Sequence, residues 1–232
     1  MSEAASPPAP DPARLLHAAR GFAAAFWGLA VAVLLLSGVI HIRPLGLLGL
    51  PAHTAGALLL VLSGAWFWRS RGLSPRWDRL AAHYLAAAAL QVYLLPFLGW
   101  WRLLDNTWYY TANMLLAVAG TLWLLLVLHV LALELAHRLR DQVLLVEARI
   151  CLWVSPLLIG GAFGLYAMGA VWLAGLDVGH LPDLLRGLII IRPPWSNLPA
   201  ILPFLLALAV AWESKERCLL ALAPPPAPVE RA

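Results

Sequence analysis

The chain has 232 residues, of which 62% are apolar and only 12% charged, with a net charge of +4. A soluble domain of this size ordinarily carries about 25% charged residues, so too few polar side chains exist to cover a water-facing fold, and the apolar excess faces lipid. Fifteen of the 16 basic residues are Arg, spaced between apolar runs instead of gathered in one patch; that placement reads as membrane topology and argues against nucleic acid as a partner.

In chain order, residues 1–19 are rich in Ala, Ser and Pro and read as an unfolded N-terminal tail, with a short amphipathic turn starting at Arg14. Residues 20–217 read as a six-helix membrane domain, an all-α polytopic bundle. Its spans fall in gaps of 20–28 residues that lack Asp, Glu, Lys and Arg. A helix needs about 20 residues, at about 1.5 Å rise each, to cross about 30 Å of hydrocarbon. The expected spans are about 21–41, 52–68, 80–101, 108–133, 150–175 and 196–214. Helices also satisfy their own backbone hydrogen bonds, as lipid requires.

The connections carry further signals. The first loop, RPLGLLGLPAH, is short and apolar, and Pro51 suits the first turn of the second span. Asp105 and Asn106 suit capping at the turn between spans three and four. The fourth loop, HRLRDQVLLVEARI, is compatible with a helix that prolongs span four. In the fifth loop, residues 181–192 suit an interfacial or re-entrant helix. Residues 218–232 are too Pro-rich to fold and form a C-terminal tail.

The tails and the even-numbered loops hold twelve of the 16 basic residues. The positive-inside rule therefore places both ends in the cytoplasm and the chain in a cell inner membrane. Ten of the 12 tryptophans fall near span ends, where an amphipathic ring prefers to sit; Trp27 and Trp123 are the interior ones. Cys151 and Cys218 lie near the cytoplasmic side without metal spacing, so free, space-filling thiols are expected.

Residues able to carry chemistry are few. Gly160 and Gly164 form a GxxxG in span five, which lets helix backbones approach closely. Packing inside the bundle is the expected use, and an interface with a partner the other. Ala86 to Ala89 serve the third span in the same way. Glu134 precedes Arg138 by one helical turn and suits an ion pair. Gln91 and Asn113 suit hydrogen bonds between helices. Pro96, Pro156, Pro199 and Pro203 interrupt spans, as in transporters or as packed kinks.

His41 and His53 lie at the outer ends of spans one and two, and His83 and His129 in the inner parts of spans three and four. Two histidines on facing helices at matched depth are what a bundle needs to ligate haem b, so these four are candidate ligands. His17, His137 and His180 fall in tails or loops and carry no assigned role. The stretches LLLSG, HTAG and WFWR are faintly similar to the first two spans of b-type cytochrome anchor subunits. That likeness implies haem b between helices, but the last two spans hold no His.

No GxSG, HExxH, paired membrane aspartates or nucleotide-binding loop is present. The expectation is a non-catalytic anchor, assembly or scaffold subunit, with the lipid bilayer and the subunits of a larger membrane complex as partners. A haem b electron carrier or quinone-linked anchor is one alternative. A small-solute permease, or its membrane-embedded binding subunit, is another.

Overall fold

The computed structural model describes residues 11–36, 54–103, 108–174 and 198–223. All six elements among them are helices: α1 (Pro12–Leu36), α2 (Thr54–Arg69), α3 (Pro75–Leu103), α4 (Trp108–Leu139), α5 (Gln142–Ala174) and α6 (Leu198–Leu222). Among the described residues, four helical stretches are long and apolar enough to cross a bilayer: Pro12–Leu34, Pro75–Phe97, Trp108–Leu139 and Gln142–Gly161. The described part of α2 has 16 residues, about 24 Å of helix. The last turns of α6 carry Glu213, Lys215, Glu216 and Arg217.

Side-chain chemistry sets the helix starts. Asp11 caps α1, its carboxylate accepting from the Ala13 amide at 3.0 Å, with Pro12 in the first turn. Ser74 caps α3 in the same way, its hydroxyl accepting from the Trp77 amide at 3.0 Å ahead of Pro75. Asp141 caps α5, accepting from the Val143 and Leu144 amides. Its neighbour Arg140 takes a left-handed φ of 55°, which ends α4. The fourth loop is therefore helical as expected on both sides of a sharp turn: α4 is prolonged to Leu139, and α5 resumes at Gln142.

The two tails are also shorter than the sequence suggests. The cap at Asp11 starts α1 at Pro12, and Leu15, Ala18 and Ala19 pack into the core, so helix replaces the end of the expected tail. At the other terminus α6 runs to Leu222, with Cys218 fully buried. Both extensions follow from apolar residues returning at helical spacing toward the bundle.

Each helix packs on its neighbours in the chain, α6 returns to α1, and α4 also touches α6 across the bundle. Helix α4 accordingly contributes a long buried stripe that includes Leu124, Leu128, Leu131, Leu135 and Ala136. Against it lie Leu144 and Ala148 of α5, and Ala207 and Ala211 of α6. On α3, Ala87 and Ala88 are buried while Ala86 and Ala89 look outward, so half of the alanine run makes the close packing expected of it.

Glycines bring α1, α2 and α3 together. A Cβ on Gly21 would meet the Phe67 ring at 2.6 Å, and one on Gly64 would meet the Leu85 Cα at 3.0 Å. Gly28 and Gly56 face each other across the α1–α2 seam. Small residues there let the backbones approach to a distance that no larger side chain permits.

Candidate functional site

Among the described residues, charged side chains from α1, α3, α4 and α6 gather at one end of the bundle. The contacts fix this: Arg14 of α1 donates to the Gly72 carbonyl at 2.6 Å, Arg76 of α3 reaches Glu134 of α4 at 3.9 Å, and Arg217 of α6 reaches Asp141 at 3.1 Å. Gly72 has a φ of 89°, and a side chain there would collide with the Arg14 guanidinium. Only glycine suits the position. Its amide donates to the Asp78 carboxylate at 2.6 Å, which closes the α2–α3 turn.

Glu134 is the hub of this end. Its side chain is only 12% exposed. It accepts from the Ser74 hydroxyl at 2.6 Å and pairs with Arg138 at 3.7 Å and with Arg76. The Arg138 pair is the one the sequence spacing predicts; Ser74 and Arg76 lie 60 and 58 residues away in the chain and are not visible from it. Beside this hub the Trp77 indole donates to the Ser70 hydroxyl at 2.9 Å, which donates in turn to the Phe67 carbonyl. Trp77 is fully buried, with its ring edge-on to Phe22 and Phe67. It is a core residue, unlike the boundary tryptophan that its position implies. At the α4–α5–α6 corner, Arg217 also pairs with Glu213 at 2.6 Å, and this hydrogen bond raises the guanidinium's pKa further above its ordinary value.

In the middle of the bundle, Gln91 donates to the Ala117 carbonyl at 3.1 Å and accepts from the Thr121 hydroxyl at 3.2 Å. This is the interhelical bond expected of it. Gly120 leaves the space, since a Cβ there would meet the Gln91 amide nitrogen at 2.7 Å. Asn113 instead donates to Tyr109 within its own helix.

The histidines part company. His83 is exposed on α3, with its ring edge-on to the half-exposed Trp123 at 5.8 Å. His129 is completely buried on α4, where its Nδ1 meets the Leu125 carbonyl at 2.6 Å. A carbonyl only accepts, so Nδ1 carries the proton and Nε2 keeps its lone pair. That Nε2 has no partner among the described residues. The two rings thus occupy different surroundings and neither touches the other. His41 and His53 lie outside the described residues, as do Pro51, Asp105, Asn106, His180 and residues 181–192. Among the described residues no group of three His, Cys, Asp or Glu side chains can hold a metal ion.

Gly160 and Gly164 make no close packing contact with the other described helices. Both are exposed, as is Gly161, and a Cβ on any of the three would meet nothing within 4 Å. Helix α5 instead turns Leu144, Ala148, Cys151 and Ser155 inward. Trp153, Leu157, Met168 and Trp172 are exposed at helical spacing from the glycines, so one outward stripe runs along the helix.

No family model, curated protein or solved structure matches the chain.

Proposed function

We propose that this protein is a non-catalytic subunit of a larger inner-membrane complex, acting as an anchor, assembly or scaffold component. In this reading all six helices span the bilayer, with the charged end and both termini in the cytoplasm. One observation carries it: α5 presents Gly160, Gly161 and Gly164 on a face that no described residue covers. Lipid gains nothing from a flat glycine surface, whereas a second helix gains close backbone contact along it. The polar clusters supply the remaining support. Glu134, Asp141 and Gln91 each have structural partners that hold helices together.

The test is the Gly160→Leu, Gly164→Leu double variant, extracted in native-lipid particles. The wild type should run as a larger assembly with identifiable protein partners. The variant should run as the lone chain with a melting temperature no lower than that of the wild-type chain alone. A wild type that is already a lone chain, with turnover of its own, would overturn the proposal.

A further inference from the structure

Two cations share one aromatic ring at the seam between α1 and α2, and no described carboxylate pairs with either. The Arg20 guanidinium lies 5.1 Å, and that of Arg69 5.0 Å, from the centre of the Trp66 ring. The His17 ring stacks on the same indole at 5.4 Å and 25°. Among the described residues neither arginine has an ion-pair partner. Other carboxylates of this end are engaged elsewhere: Asp11 with Arg14, Asp78 with the Gly72 amide, Glu134 with Arg76 and Arg138, Glu213 with Arg217, and Glu216 with Lys215. Two like charges held beside one ring repel each other, and cation–π attraction offsets this only in part. An anion with several oxygens removes the conflict, and the guanidinium fork matches phosphate geometry.

The apolar surroundings identify the carrier of that phosphate. Leu62 and Leu58 lie one and two turns before Trp66 on the same face of α2, and both are exposed. Trp27 lies two turns beyond Arg20 on the same side of α1 and is 60% exposed. An apolar track therefore leads from the two arginines toward the middle of the bundle. A free phosphate has no use for it, whereas acyl chains do. We infer that the Arg20–Trp66–Arg69 cluster binds the phosphate of an anionic phospholipid, whose chains lie along Leu62, Leu58 and Trp27. Basic pockets between spans on the cytoplasmic side recognise such headgroups.

The experiment uses the full chain purified in mild detergent, mixed with phosphatidylglycerol or phosphatidylcholine, with bound lipid read by native mass spectrometry. The wild type should retain phosphatidylglycerol preferentially. Arg20→Gln with Arg69→Gln should lose that preference by about tenfold or more. Arg79→Gln with Arg149→Gln, which removes the same charge from exposed sites elsewhere at this end, should keep it. Melting temperatures measured in phosphatidylcholine confirm that both variants are folded. Equal retention of the two lipids by the wild type would overturn the inference. So would equal loss in the two variants, and so would displacement of the lipid by millimolar inorganic phosphate, which would mark a site for free anion.

Discussion

Gly28 and Gly56 set the approach of α1 to α2: a Cβ on Gly28 would lie 3.1 Å from the Gly56 carbonyl oxygen, and one on Gly56 would lie 3.2 Å from that of Gly28. Each glycine faces rigid backbone on the other helix, so neither neighbour can swing away. Gly28→Leu should therefore destabilise the bundle by about 1–3 kcal/mol or more. The same change at Gly160 meets no described residue, and the helix gains about 1 kcal/mol by losing a glycine. Thermal unfolding in detergent should show the first variant melting lower than wild type and the second at least as high. Equal behaviour of the two would sink the packing argument.

Trp77 offers a graded test of the charged end. Its ring fills the core against Phe22 and Phe67, and its Nε1 donates to Ser70. Trp77→Ala should cost about 3–5 kcal/mol, the usual loss for a large buried ring. Trp77→Phe keeps most of the volume and gives up the hydrogen bond. It should cost about 1–2 kcal/mol, because the Ser70 hydroxyl still donates to the Phe67 carbonyl. Chemical unfolding monitored by helical content separates the two. Similar losses would mean that the hydrogen bond, not the ring, holds this corner.

Much of this architecture is legible in the sequence, and what is not has physical causes. Six charge-poor runs yield helices because lipid-facing segments leave no competing pattern. The Glu134–Arg138 pair and the Gln91 bond follow from spacing and burial. Glycine use is misread. The eye goes to Gly160 and Gly164 because GxxxG is a compact motif, yet the glycines that pack are Gly21, Gly28, Gly56 and Gly64. Their spacing of seven or eight residues also returns to one helix face, and that was the available signal. The partners Ser74 and Arg76 of Glu134, and the meeting of His17, Arg20 and Arg69 on Trp66, depend on tertiary contacts. No local pattern encodes them. The early start of α1 was readable in Asp11-Pro12, a cap followed by a first-turn proline.

Cys218 should be an inert thiol with a pH signature. Both cysteines are free. Burial among apolar neighbours pushes the Cys218 thiol from an ordinary value near 9 up to about 12. The folded state thus holds its proton where the unfolded chain has released it. Its contribution to stability is complete below pH about 9 and declines as pH rises from there toward about 12. Maleimide labelling at pH 8 should be slow at this site in folded protein and fast after denaturation. A Cys218→Ala variant should show a shallower loss of stability above pH 9. Rapid labelling of the folded chain would place the thiol at the surface instead.

His129 decides between a structural and a haem-binding reading of the spans. Its Nδ1–H is held by the Leu125 carbonyl, which leaves Nε2 with a free lone pair in the core. This tautomer is the one a metal ligand needs. A bis-histidine haem also needs a second ring at the same depth, and His83 stands exposed beside Trp123. A buried nitrogen without a partner costs about 1–3 kcal/mol. The scaffold reading therefore expects His129→Leu, of similar volume, to melt within about 1 kcal/mol of wild type or above it. It also expects no Soret absorbance from protein expressed with ample haem. A Soret band that disappears in His129→Leu, together with a lower melting temperature, would establish haem in the core and displace the scaffold reading.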